Sequence, residues 1–233
     1  MSRLADVPSE DHAGLAPAWH TAALVVLILL VAASGMLLAT RATPPPAPPS
    51  DRIATLYLPV AFVQMGLSFY VVRVGRASSA LSRLLGGGRF SAKGALADLA
   101  IAGALWAWVA AAGVIGARFF RATGAAEMGA LLPASAPERV AWAILAILVG
   151  VTEELVYRGY LRVQLAAFTR SAPLGIALQA LLFGIAHLNQ GGRMAVEIAL
   201  DGAVFGAVAQ WRRGLAACIA CHVFTDLLAG FAH

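Results

Sequence analysis

The chain has 233 residues, of which 60% are apolar and only 12% are charged, and its mean hydropathy is +0.78. This composition excludes an ordinary soluble domain, because one hydrophobic core does not require so many apolar residues. The net charge of +5 does not indicate a nucleic-acid partner, because the basic residues lie singly or in pairs at the ends of apolar runs, where they orient membrane helices. The sequence therefore predicts an all-α polytopic membrane protein, a helical bundle that contacts the lipid bilayer.

The apolar runs predict about seven transmembrane helices, since a helix needs about 20 apolar residues to cross about 30 Å of hydrocarbon. The first run follows an acidic tail rather than a short basic segment, which favours a retained helix over a cleaved signal peptide. Residues 43–49, TPPPAPP, cannot continue that helix, because proline has no backbone N–H. The predicted spans are 21–40, 53–72, 94–117, 140–161, 173–188, 194–211 and 215–231.

These spans divide the chain into an N-terminal tail (1–20), three N-terminal transmembrane helices with one basic loop (21–134), and a core of four spans (135–233). Ser135 and Glu138 have the spacing of a capping box, which marks the first helix of the core. Residues 159–170 are apolar enough to re-enter the membrane, and this would change the count by one.

Eleven of the seventeen Arg and Lys residues fall on the side of the membrane that holds the 73–93 loop. The positive-inside rule therefore predicts a cytoplasmic N-terminus. The abundance of Arg and Ala is typical of a GC-rich bacterial genome, so we expect the protein in a bacterial cytoplasmic membrane.

Ionisable side chains inside apolar helices are costly and usually mark function. The core contains eight of them: Glu153, Glu154, Arg158, His187, Glu197, Asp201, His222 and Asp226. Glu154 and Arg158 are four residues apart with the acid first, the favourable order for an ion pair. Glu153 is rotated from them by about 100° and is left free to act on a water molecule. The alternative is that all three are solvated charges at a helix end.

Two histidines offer further chemistry. Phe183 lies one turn before His187 and can pack beside its imidazole, an arrangement that also suits a purely structural histidine. His222 and Asp226 are four residues apart on one face of the last span, where they can converge on one polar point. Two histidines and two carboxylates on three apolar helices suit water activation and stabilisation of an oxyanion, with or without a metal ion.

Three motifs in this order resemble those of the CAAX protease and bacteriocin-processing family of intramembrane endopeptidases, which is related to the type II CAAX prenyl endopeptidases. The motifs are EExxxR in EELVYR at 153–158, FxxxH in FGIAH at 183–187, and HxxxN/D in HVFTD at 222–226. The resemblance covers residues 153–226, and the first three spans resemble no family. It implies a helical membrane peptidase that acts on a peptide or protein substrate, including membrane-anchored ones.

The resemblance also implies a role for each motif residue. Glu153 is expected to activate the attacking water together with His187. His222 and Asp226 are expected to hold the oxyanion. Supporting roles are implied for the other two motif residues, Glu154 and Arg158.

Dependence on a metal ion stays open at this point, because family members are described both as metalloproteases and as metal-independent glutamate proteases. Glu153, His187, His222 and Asp226 are the candidate ligands, and four N and O donors are compatible with zinc, although no HExxH pair is present. Asp226 stands where many eukaryotic members have Asn. A carboxylate there suits a bound metal, whereas in a metal-free site it would orient His222.

One geometric difficulty follows from the predicted spans. They place Glu153 nearer the cytoplasm and His187 nearer the outside, by about 10 Å at 1.5 Å per residue. Tilted or broken helices, or different helix limits, must close this gap.

Other functions remain as alternatives. Cys218, Cys221 and His222 form a CxxCH string, the pattern for attachment of haem, but it lies in an apolar helix and we expect no haem. Glu197 and Asp201 could belong to the relay of a proton- or ion-coupled transporter, or be an interfacial acid and a hydrogen-bonded one. An immunity or scaffold protein of the same fold would lack peptidase activity.

Overall fold

A computed structural model describes residues 14–41, 51–77, 91–119 and 131–232. Within these residues the chain forms seven helices and no strands, which confirms the predicted all-α bundle. The predicted tail up to residue 13, the proline-rich connector 43–49 and residues 78–90 of the basic loop lie outside the described residues. The helices are α1 (Ala18–Arg41), α2 (Leu58–Ala77, preceded by a π-helical turn at Ile53–Tyr57), α3 (Ala92–Phe119), α4 (Ala136–Thr169), α5 (Ala172–Ala186), α6 (Gly192–Arg212) and α7 (Ala216–Phe231).

Five of these helices, α1, α2, α3, α4 and α6, are long and apolar enough to cross a membrane. The other two, α5 and α7, are apolar but have only 15 and 16 residues. Large apolar side chains point outward from the long helices, as expected where the solvent is lipid; examples are Leu30, Phe69, Leu96, Val114 and Ile144. The chain is an integral membrane protein.

The start of α4 is fixed by the capping box that the sequence predicts. The Ser135 hydroxyl accepts a hydrogen bond from the Glu138 backbone N–H at 3.4 Å, and the Glu138 carboxylate accepts one from the Ser135 N–H at 3.1 Å. Arg52, just before the π-helical turn, forms an ion pair with the same carboxylate at 3.2 Å. These contacts satisfy N–H groups at a helix start that have no partner within the helix.

The predicted end of this helix at residue 161 is wrong. The helix continues to Thr169 and is 34 residues long, passing through a π-helical segment, Glu154–Leu161, in which every residue is buried. Polar residues after 161 do not end it, because they find partners inside the bundle: the Gln164 amide donates to the Thr21 hydroxyl at 2.9 Å. Residues 159–169 therefore continue α4 and do not form a separate re-entrant segment.

The turn between α4 and α5 brings two motif residues to the same level. Arg170 adopts the left-handed conformation (φ 53°) that ends α4, and the Ser171 hydroxyl caps α5 by accepting from the Leu174 N–H at 3.4 Å. Glu153 and His187 each lie 17 positions from Arg170, on the two arms of this hairpin. The longer α4 thus removes the gap in depth that the predicted spans left between them.

Small residues allow α5 and α6 to approach closely. A Cβ atom added to Gly184 would lie 2.6 Å from the Ala195 carbonyl oxygen, and one added to Gly206 would lie 2.7 Å from the Gln179 amide nitrogen. A Cβ on Gly202 would come within 3.2 Å of the Ala180 backbone. Gly202 and Gly206 thus permit a close contact between α5 and α6, as small residues do between membrane helices.

Candidate active site

Residues of all three motifs line one cavity of about 600 Å³. Glu153 comes from the middle of α4, His187 from the carboxyl end of α5, and His222 and Asp226 from successive turns of α7. Among the other polar side chains that line the cavity is Gln64 from α2. The sequence predicts no role for this glutamine, because its side chain is not ionisable; a polar residue within an apolar span is the signal that marks it.

The two carboxylate oxygens of Glu153 have different surroundings. Oε1 accepts a hydrogen bond from the Gln64 side-chain N–H at 3.2 Å. Oε2 is buried without a hydrogen-bond partner, and it lies 4.0 Å from His187 Nε2 and 3.7 Å from His222 Nε2. These separations exceed a direct hydrogen bond and are suited to a bridging water.

The hydrogen bonds of His187 define its tautomer. Its Nδ1 lies 2.8 Å from the Phe183 carbonyl oxygen. Because a carbonyl can only accept, Nδ1 carries the proton, and in the neutral ring Nε2 presents a lone pair toward Glu153. The Phe183 ring packs edge-on against the imidazole with centroids 4.8 Å apart, as the sequence predicted.

One acid binds the Nδ1 atom of His222, and two others lie near its Nε2 atom. Its Nδ1 donates to Glu154 Oε1 at 2.9 Å, while Nε2 faces Glu153 and lies 3.7 Å from Asp226 Oδ2. The predicted convergence of His222 and Asp226 is therefore present. Three carboxylates surround a single imidazole.

The ion pair predicted between Glu154 and Arg158 is confirmed at 3.1 Å, and both side chains are essentially inaccessible. The Arg158 guanidinium also lies over two aromatic rings, 4.1 Å from the Phe183 centroid and 5.3 Å from that of Phe205. These buried contacts exclude the alternative of solvated charges at a helix end. Glu154 thus contacts both Arg158 and His222.

No group of three or more His, Cys, Asp and Glu side chains among the described residues is arranged so that it could hold a metal ion. Glu153, His187, His222 and Asp226 approach one another without forming such a group.

The remaining acids of the bundle have partners of their own. Asp201 accepts a hydrogen bond from the Trp108 indole N–H at 2.8 Å, which confirms the predicted hydrogen-bonded acid. Glu197 pairs with Arg193 at 2.9 Å. Asp98 pairs with Arg212 at 2.8 Å.

The cysteines of the CxxCH string are both buried, and neither lies in a disulfide. Cys218 donates to the Phe205 carbonyl oxygen at 3.5 Å. The histidine of the string is the one that faces Glu153, so it belongs to the cavity described above.

Comparison with known proteins identifies the part of the chain that builds most of this cavity. Residues 135–228 match the family model described as Rce1-like, type II CAAX prenyl endopeptidase, and all three motifs lie within them. No curated protein and no solved structure matches the chain. Residues 135–228 are therefore similar to the domain of the Rce1-like type II CAAX prenyl endopeptidases, a peptidase family, in agreement with the family that the three motifs resemble.

Proposed function

We propose that the protein is an intramembrane endopeptidase in which Glu153 activates the water that attacks the peptide bond. The observation that carries this proposal is the buried, unpartnered Oε2 of Glu153, which faces the Nε2 atoms of His187 and His222 across a cavity of about 600 Å³. A buried acceptor without a partner is costly, and a water at this point would satisfy it and stand beside the bound substrate.

The first half of the reaction forms a tetrahedral intermediate. Glu153 Oε2 takes a proton from the water while the water oxygen bonds to the carbonyl carbon, and the lone pair of His187 Nε2 accepts the second water O–H and aims the attack. The carbonyl oxygen becomes an oxyanion. His222, as an imidazolium, donates its Nε2–H to that oxygen.

The second half breaks the bond between carbon and nitrogen. The oxyanion collapses to a carboxylic acid, and Glu153 returns its proton to the leaving amine, so the base is restored. Asp226 orients His222 through its Oδ2 atom, which lies near Nε2 of the ring. The Glu154–Arg158 pair fixes the Nδ1 edge of the same ring and balances its charge.

The substrate is a peptide or protein segment that reaches a site inside the membrane, and we propose a membrane-anchored one. The description of the matched family suggests a prenylated cysteine near the scissile bond as the first candidate. We further propose that residues 135–233 are the catalytic core, and that the protein lies in a bacterial cytoplasmic membrane with its N-terminus inside.

Cleavage by purified full-length protein in liposomes tests the proposal. Two quenched-fluorescent peptides serve as probes, one carrying a farnesylated cysteine followed by three residues and one identical but without the lipid. We expect the wild type to cleave at least one of them and Glu153→Gln to cleave neither, with product masses identifying the bond. Equal cleavage by both proteins would show that Glu153 is not the base, and cleavage by neither would argue for a scaffold or immunity role of the same fold.

A further inference from the structure

Gln64 lies outside the part of the chain that matches the family, yet it touches the proposed general base. It belongs to α2, is 8% exposed, and donates its side-chain N–H to Glu153 Oε1 at 3.2 Å. The orientation of the amide follows from its partner, because a carboxylate can only accept and therefore must face the amide nitrogen.

This hydrogen bond makes the two oxygens of Glu153 unequal. A carboxylate without it could turn about its last side-chain bond and exchange Oε1 with Oε2. With Oε1 held on the α2 side, Oε2 is the oxygen that faces the two imidazoles. A base held in a productive orientation contributes to rate through geometry, because small misplacements of a reacting group are costly.

Gln64 also stands between two cavities. The large cavity is lined by residues of all three motifs, and a second one of about 120 Å³ lies among α1, α2, α4 and the end of α5 and is lined mainly by apolar side chains. Gln64, Glu153 and His187 line both of them. The amide therefore forms part of the wall against which a water or substrate in the large cavity would rest.

The side-chain oxygen of Gln64 indicates that packing alone does not explain why a glutamine occupies this position. Gln64 Oε1 is buried and has no hydrogen-bond partner, and such an acceptor is costly. Leucine has a similar size and would fill the space without that cost. The hydrogen bond between α2 and α4 one turn further on, from Ser68 to Thr152 at 2.6 Å, joins the same helices without touching the base.

We infer that Gln64 is a positioning residue of the active site, contributed by the N-terminal helices, which fixes the oxygen of Glu153 that receives the proton from water. This inference rests on the proposed function, because it assigns Glu153 the role of base.

The test uses the full-length protein in liposomes and whichever of the two peptides the wild type cleaves. Gln64→Leu removes the donor and keeps the volume, and Gln64→Glu replaces the donor by an acceptor. Ser68→Ala is the matched control, because it removes the neighbouring contact between α2 and α4 and leaves Glu153 untouched.

We expect Gln64→Leu to lower kcat about 10- to 100-fold with KM within about twofold and Tm unchanged or raised. The kcat of Gln64→Glu should fall at least as far, and the kcat of Ser68→Ala should equal that of the wild type.

An infrared measurement gives a second readout that needs no substrate. The difference spectrum between a protein and its Glu153→Gln counterpart isolates the Glu153 carboxyl band. We expect this band to shift in the Gln64→Leu background and to stay in place in the Ser68→Ala background, because only the first loses a hydrogen bond to the carboxylate.

The outcomes separate the two proposals. An inactive Glu153→Gln beside a fully active Gln64→Leu with an unshifted carboxyl band would overturn the role of Gln64 alone. Equal losses in Gln64→Leu and Ser68→Ala would reduce Gln64 to a contact between helices. If Glu153→Gln cleaves as well as the wild type, or if the wild type cleaves neither peptide, it is the proposed function that fails, and the infrared band still decides whether Gln64 holds the carboxylate.

Discussion

Glu154 Oε1 accepts the Nδ1–H of His222 at 2.9 Å while it pairs with Arg158 at 3.1 Å. One fully buried oxygen thus joins the first sequence motif to the third. His222 can rotate only if this carboxylate moves, and the carboxylate is held by a guanidinium that lies over two aromatic rings.

We expect substitutions of Glu154 and Arg158 to have strongly coupled effects on the free energy of unfolding. Arg158→Met leaves a buried carboxylate without its cation, and Glu154→Gln leaves a buried guanidinium without its anion. Each single change should lower the free energy of unfolding by about 3–5 kcal/mol, because an unpaired buried charge is costly. The double variant should lose less than the sum of the two. Thermal unfolding in detergent measures this, and additive losses would contradict a coupled pair.

His187→Gln should abolish most of the peptide cleavage without unfolding the protein. The change removes the lone pair that faces Glu153, and loss of a group that assists proton transfer lowers kcat by about 100- to 10,000-fold. His20→Gln is the control, since His20 contacts Tyr70 on the α1–α2 side of the bundle. Initial rates and Tm are measured for both. A drop in Tm that parallels the lost activity would mean that His187 is structural.

Gly184→Ala should weaken the contact between α5 and α6. The added methyl group would lie 2.6 Å from a backbone oxygen of α6, and overpacking of this kind costs about 1–3 kcal/mol. Gly66→Ala makes the same chemical change where nothing lies within 4 Å, and it should leave Tm unchanged or raised. Comparing Tm for the two variants checks this prediction, and equal shifts would contradict it.

Asp226→Asn addresses the choice between an orienting acid and a metal ligand. If Asp226 orients His222, asparagine keeps an oxygen that faces Nε2, and we expect kcat to stay within about tenfold of the wild type. Asp226→Ala should lower kcat further. Metal content by mass spectrometry is measured on the same preparations. A joint loss of bound zinc and activity in Asp226→Asn would assign the carboxylate to a metal site.

Much of this site could be predicted because its pairs are local in sequence. Glu154 and Arg158, Phe183 and His187, and His222 and Asp226 are each four residues apart, and helix geometry alone brings each pair together. Their convergence from three helices was expected only from the resemblance to a family, since no local rule sets the packing of α4, α5 and α7.

The errors concern long-range relations. The sequence predicts an end of α4 at 161, whereas Arg162 and Gln164 continue the helix and find partners, Gln210 and Thr21, that are far away in sequence. Gln64 is uncharged and gives only the weak signal of a polar residue in an apolar span, and its partner Glu153 lies 89 residues later. Contacts of this kind are decided by packing and not by periodicity.

The helices that carry His187 and His222 are the two shortest in the bundle, among the residues that the structure describes. At 1.5 Å per residue they measure about 22–24 Å, less than the roughly 30 Å of hydrocarbon in a typical bilayer. Lipid beside them must thin locally, or water must follow their ends inward. A hydrolase needs one water for every bond it breaks, and here the short helices reduce the distance that each water must travel.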